Sequence, residues 1–196
     1  CTHMLFLDSD IQIEAESIIT MIEKNKELLC IPYPLKTVKF DKMYEIQKLR
    51  PDFNLEQMSM AGNVYPVRLA DDKSITVTDG MCELTHSATG CLLIQKNVFT
   101  KMMDKYPDLK INQEVTIDNE KVMKPNLYNF FDTYFDKKNK LYYGEDFAFS
   151  RLWRKMGGKC YALITEYITH VGDYSYTGRL IDEMYAVGID SKGKNK

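Results

Sequence analysis

The sequence has no apolar run long enough to cross a bilayer, and no charged leader followed by an apolar stretch that would read as a signal peptide. It also lacks an excess of either charge: 26 Lys and Arg face 28 Asp and Glu, for a net charge of −2. A protein devoted to nucleic-acid backbone normally carries a basic face, because phosphate contacts supply most of the affinity. Nucleic acid is therefore disfavoured as a partner. Cysteine is scarce and irregular. Cys1, Cys30, Cys82, Cys91 and Cys160 are odd in number and widely scattered, with no Cys-x-x-Cys pair or zinc-like spacing. They read as small core residues in a reducing compartment, so a cytoplasmic location is expected, the host cytoplasm if the protein is viral.

What is present suits one globular domain. A chain of 196 residues with 44% hydrophobic and 28% charged residues can bury a real core. The 13 Tyr and 9 Phe are more notable. Tyrosine offers an apolar face and a hydroxyl together, which suits sugar and nucleobase surfaces as well as the edge of a core.

Met4-Leu5-Phe6-Leu7 is a continuous apolar run, the pattern of a strand buried on both faces in a parallel sheet. A helix is expected from about Glu14, with Ile18, Ile19 and Ile22 on its apolar face. Leu28 to Pro32 follows as a second strand, giving a strand–helix–strand opening to an α/β fold. A sequence that opens on such a strand reads as a chain lacking its first elements. Phe40 to Leu49 suggests a short helix. Ser74 to Thr78 and Met81 to Ser87 suggest a hairpin about Asp79-Gly80. Thr89 to Ile94 reads as another buried strand, followed by a helix carrying Val98, Phe99, Met102, Met103 and Tyr106 on one face. Residues 107–143 show no clear period and are expected to be a long irregular segment, of the kind that usually carries function. We expect it to shape an acceptor site. A helix near Glu145 to Met156 has its stripe at Phe149, Leu152, Trp153 and Met156, with Gly157-Gly158 as the stop. Tyr161 to Ile164 is a strand leading to Tyr167-Ile168-Thr169-His170, and residues 193–196 form a lysine-rich tail. A single domain over residues 1–192 is expected.

Three groups of residues could carry chemistry. Asp8-Ser9-Asp10 lies at the carboxyl end of a strand, where open α/β sheets place ligands. Two carboxylates one residue apart can converge on Mg²⁺ or Mn²⁺, which in turn bind diphosphates. The competing explanation is that one Asp caps the following helix. Glu145-Asp146 falls in the first turn of a helix, where acids are favoured by the helix dipole. A carboxylate fixed there is also a suitable general base. His170 follows a strand and precedes Val171-Gly172; it could be structural, or complete a metal site begun by the aspartates. His3 and His86 have no comparable context.

In order, these pieces resemble the glycosyltransferase A fold, and particularly the family-two-like glycosyltransferases of bacteriophages and large viruses. The resemblance runs through Leu5-Phe6-Leu7-Asp8-Ser9-Asp10, Ile31-Pro32-Tyr33-Pro34-Leu35-Lys36 and Ala88-Thr89-Gly90-Cys91-Leu92-Leu93-Ile94. It continues through Tyr143-Gly144-Glu145-Asp146-Phe147-Ala148-Phe149 and His170-Val171-Gly172, with Tyr176 and Gly178. It implies a Rossmann-like, mixed but mostly parallel sheet flanked by helices, truncated at the N-terminus by the loss of its nucleobase-binding strands. It also implies a metal-dependent, inverting transfer of sugar from a nucleoside-diphosphate donor, most commonly a UDP-sugar, to a hydroxyl of a glycan, protein or other acceptor. Carried over by position, Asp8 approaches the ribose or a metal-bound water. Asp10 ligates Mn²⁺ or Mg²⁺, and His170 completes that site. Asp146 is the base, and Glu145 orients the acceptor. Gly90 allows close approach of the donor sugar, and Lys36 faces the diphosphate.

Two other readings share these residues. A metal-dependent nucleotidyl- or phosphoryl-transferase would use Asp8 and Asp10 with a nucleoside triphosphate. A non-catalytic carbohydrate-binding or virion structural protein could keep the fold without turnover.

Overall fold

The computed structural model of the chain describes residues 1–70 and 75–186. Strand β1 (His3–Leu7) runs into a tight turn at Asp8-Ser9-Asp10, closed by the Ile11 N–H donating to the Asp8 carbonyl at 3.1 Å. Strand β2 (Ile11–Ile13) follows, then helix α1 (Ala15–Glu23), strand β3 (Leu28–Cys30) and helices α2 (Phe40–Leu49) and α3 (Leu55–Ala61). Asn54 and Gln57 form a reciprocal capping box that fixes the start of α3. Strands β4 (Arg68–Leu69), β5 (Met81–His86) and β6 (Cys91–Gln95) lead to helix α4 (Lys96–Lys105). Next come two hairpins, β7 (Lys110–Ile117) with β8 (Glu120–Tyr128), and β9 (Tyr134–Asp136) with β10 (Leu141–Tyr143). Helix α5 (Glu145–Lys155), strands β11 (Cys160–Leu163), β12 (Ile168–Val171) and β13 (Ser175–Gly178), and helix α6 (Leu180–Ala186) complete the described fold.

The fold is mixed α/β around a sheet ordered β1-β6-β3-β11-β5-β4. Only β3 and β11 pair in parallel; the other contacts in this sheet are antiparallel. The expected mostly parallel sheet is corrected on this point. The cause is the insertion of β6 between β1 and β3, running against both. Even so, β1, β3 and β11 all point the same way, so the ends of β1 and β3 share one sheet edge with the start of β6.

Alternation along the strands divides the core into two layers. Leu28, Cys30, Leu92, Ile94, Leu84, Cys160 and Ala162 face α4 and α5, where Val98, Met102, Phe149 and Trp153 cover them. Leu29, Ile31, Leu93, Cys91 and Leu163 face the other way, onto Met21 of α1 and onto Ile11 and Ile168 of the small sheet β13-β12-β2. Four of the five cysteines are buried among these residues, and all five are free thiols.

Several expectations need correction. The run Met4 to Leu7 is not buried on both faces: β1 is the edge of its sheet, leaving Met4, Leu5 and Leu7 46%, 38% and 45% exposed. In α1 the buried positions are Ser17 and Met21, with Ile18 of the expected face packed partly buried beside them, while Ile19 and Ile22 are exposed. Ser17 is held inward by donating its hydroxyl to Glu166 at 2.7 Å. Strand β5 pairs with β11 and β4, and among the described residues of 75–78 it is joined only by the Thr78–Met81 bridge around Asp79-Gly80. Ser74, the first residue of the expected partner strand, lies outside the described residues, as does the tail at 193–196. Residues 107–143 are not irregular. Asp118 and Asn119 both adopt positive φ, 50° and 65°, and close the β7–β8 hairpin with a two-residue turn of the primed type.

Candidate active site

The site is built by chain segments that the sheets bring to one edge. The turn after β1 hands the chain to β2, which pairs antiparallel with β12 and sets His170 opposite Ile11. The Val171 N–H donates to the Asp10 carbonyl at 2.7 Å, locking the two segments together. In this register the His170 Nε2 lies 3.3 Å from Asp10 Oδ2. The other ring nitrogen, Nδ1, is 2.9 Å from the Pro34 carbonyl. A carbonyl only accepts, so Nδ1 carries hydrogen, and Nε2 is the nitrogen left to face the carboxylate. His170 is thereby held by one nitrogen and presented by the other.

Lys36 completes this corner. Its Nζ donates to Asp10 Oδ2 at 2.7 Å, and both side chains are about half exposed. The Lys36 hydrogen bond, with the lysine and histidine charges beside it, holds the Asp10 carboxyl below the usual carboxylate range. Gly172 gives the lysine room: a Cβ there would stand 3.1 Å from Lys36 Cδ.

The second corner lies around residues 89 and 90. The Asp8 N–H donates to the Gly90 carbonyl at 3.0 Å, tying the end of β1 to the start of β6. Tyr33, just beyond β3, lays its ring directly over Gly90 and meets the His170 ring edge-on at a centroid distance of 5.2 Å. Burial pushes the Tyr33 hydroxyl up to about 12, helped by the negative charges of Asp8 and Asp146. Asp146 therefore reaches the same neighbourhood from the first turn of α5. Its carboxylate accepts from the Phe147 N–H at 2.7 Å and is also stabilised by the Thr89 backbone N–H. Burial outweighs these bonds and raises its affinity for protons, with Glu145 adding to the effect.

The predicted residues Asp8, Asp10, Lys36, Gly90, Asp146 and His170 are thus linked through named contacts at one edge. Glu145 is exposed at the start of α5 and makes no described side-chain bond. The capping explanation for the aspartates does not hold, because the N-cap of α1 is Glu14 and no side chain bonds there. Sequence reasoning passed over two members: Tyr33, which joins the two corners, and the Pro34 carbonyl, which orients His170. No signal in the sequence marked them, because their place in the site depends on β6 lying beside β3.

Among the described residues, no cluster of three or more His, Cys, Asp or Glu side chains is arranged to hold a metal ion. Asp10 and His170 are the pair here that could contribute two ligands, although Asp10 Oδ2 also accepts from Lys36. Their 3.3 Å separation is close to the roughly 3 Å expected between adjacent ligands of an octahedral ion with bonds of about 2.1 Å. One oxygen and one imidazole nitrogen suit Mn²⁺ better than Ca²⁺.

No protein-family model matches the chain, and no curated protein matches it. Among solved structures it has a likeness to the crystal structure of A197 from STIV, with 18% identity and a TM-score of 0.38. That alignment covers 88% of this chain and 59% of the other, so the chain spans little more than half of that protein's length. A likeness of this degree carries no argument about fold or function.

Proposed function

We propose that the protein is a metal-dependent, inverting glycosyltransferase of the A-fold type, transferring sugar from a nucleoside diphosphate to an acceptor hydroxyl. One observation supports this reading above the others: the Asp10–His170 pair and the partly buried Asp146 both lie in the neighbourhood of Tyr33. A site for a cationic cofactor and diphosphate is thereby set beside a carboxylate suited to take a proton.

In this reading Asp10 and His170 hold the divalent cation, which when bound offsets charge on the departing diphosphate. Lys36, already drawn to this corner by Asp10, supplies a second positive group for the phosphate oxygens. Gly90 lies buried beneath the Tyr33 ring, so in this reading its lack of a side chain serves the site by letting Tyr33 pack against the start of β6. Asp146 accepts the proton of the acceptor hydroxyl as that oxygen bonds to the anomeric carbon. The bond from that carbon to the diphosphate oxygen breaks, and the electron pair leaves with the nucleoside diphosphate. The raised proton affinity of Asp146, caused mainly by burial, strengthens it as a base.

The test is donor hydrolysis by the longest obtainable form of the protein, with Mn²⁺ and a panel of sugar nucleotides. The proposal expects sugar release that Asp10→Ala abolishes. Pyrophosphate release from a nucleoside triphosphate would support the nucleotidyl-transferase reading instead. Turnover of neither would leave a non-catalytic binding or structural protein.

A further inference from the structure

The β7–β8 ribbon has strands of eight and nine residues, and from Lys110 through Lys124 none of its described residues is buried. Two-stranded ribbons are marginal in water on their own, and this one is amphipathic. Cross-strand partners share a face. The register therefore sets Ile117 and Glu120, Val115 and Val122, Gln113 and Lys124, and Ile111 and Leu127 in successive rows on one side. Ile111, Ile117 and Val122 on that side are 41%, 44% and 39% exposed. The opposite side carries Glu114, Thr116, Lys121 and an exposed Met123, with Glu114 and Lys121 in an ion pair at 2.9 Å. That face is mostly polar, and the first is mostly apolar with Gln113, Glu120 and Lys124 set among its aliphatic residues.

The charges on the apolar face point to what covers it. Glu120 stands one row beyond Val122 and Lys124 one row before it. A two-fold axis laid along the Val115–Val122 row, between two ribbons packed face to face, stacks each valine on its own copy. It also sets Glu120 of each chain over Lys124 of the other, twice. A surface that complements itself about a two-fold is the mark of an isologous contact. Edge-to-edge growth is disfavoured on the β8 side, where Pro125 offers no N–H.

We infer that the β7–β8 ribbon is a dimerisation arm through which two copies of this chain associate. The inference stands apart from the glycosyltransferase reading, since no residue of the candidate site takes part. The face offers four cross-strand rows, fewer residues than the roughly 20–30 a side of a standard interface, so a reversible dimer of about micromolar or weaker affinity is expected.

Sedimentation velocity of the full chain across a wide concentration series tests it. The wild type should move from monomer to dimer. Val122→Lys should remain monomeric, with unchanged circular dichroism showing that the fold persists. Glu120→Lys and Lys124→Glu should each weaken association by about tenfold, as expected from turning two attractions into repulsions. The double reversal E120K/K124E should restore it, a rescue that neither misfolding nor a merely structural role would give. A monomer at every concentration overturns the inference. So does a dimer that Val122→Lys leaves intact, or a double reversal no tighter than the single ones.

Discussion

Substituting Gly90 by alanine should disturb the centre of the site by a calculable amount. A Cβ on Gly90 would fall 2.3 Å from Tyr33 Cε1 and 2.8 Å from Cδ1 and Cζ. Carbon atoms prefer about 3.5–4.0 Å, so the ring must retreat by roughly 1 Å or more. It cannot do so alone, because the His170 ring lies against it at 5.2 Å and His170 is anchored to Pro34. Overpacking of this kind typically costs about 1–3 kcal/mol. For a chain of this size, about 2 kcal/mol corresponds to a Tm drop of about 4–8 °C. The informative assay is a double-mutant cycle of denaturation midpoints for wild type, Gly90→Ala, Tyr33→Ala and the pair. If the ring is the obstacle, removing it relieves the alanine, and the pair should be less destabilised than the sum by about 1 kcal/mol or more. Additivity within about 0.5 kcal/mol would refute the proposed packing of Tyr33 on Gly90.

Asp146→Asn should raise stability at neutral pH while abolishing sugar transfer. The folded state raises the Asp146 proton affinity through burial, so ionising it costs stability as pH rises through its folded value. The asparagine variant escapes that cost, and its advantage should vanish in acid, below the ordinary carboxylate range; an equal gain at all pH values would contradict the assignment. His86 should behave in the opposite sense. It is buried, with its ring near Tyr143 and Phe147 at 5.8 and 4.8 Å, and burial, helped by nearby arginines, pulls it down to about 4. Its contribution is present above its unfolded value near 6.5 and is lost between there and about pH 4, by at most about 3 kcal/mol. His86→Phe should flatten the stability-against-pH curve over that interval, and an unchanged acid limb would rule out His86 as its source.

The helices were the most legible part of the sequence. Phe40–Leu49 and the α5 stripe of Phe149 and Trp153 follow from periodicity, and Gly157, at φ 91°, stops α5 as its left-handed preference suggests. Strand context was less legible. Met4 to Leu7 has the composition of a central strand, but composition does not say whether a neighbour is present, and among the described residues β1 pairs on one side, with β6. The hairpins within 107–143 were hidden because alternation in β7 is diluted by Asn112, Gln113 and Glu114, and because Asp118-Asn119 is a weaker turn signal than Asp-Gly. In the site, the acids and His170 could be nominated from their positions at element ends. Tyr33 could not, because its role depends on β6 lying beside β3, a pairing that only the folded sheet supplies.

The most direct test of the central claim is calorimetric titration of uridine, guanosine, cytidine and thymidine diphosphates into the longest obtainable form of the protein. Each titration would be run with and without Mn²⁺, beside Asp10→Ala. The account predicts that one nucleotide binds, that binding requires the metal, and that Asp10→Ala abolishes it. Absence of binding by any nucleotide to the folded protein, or metal-dependent binding that survives Asp10→Ala, would contradict it.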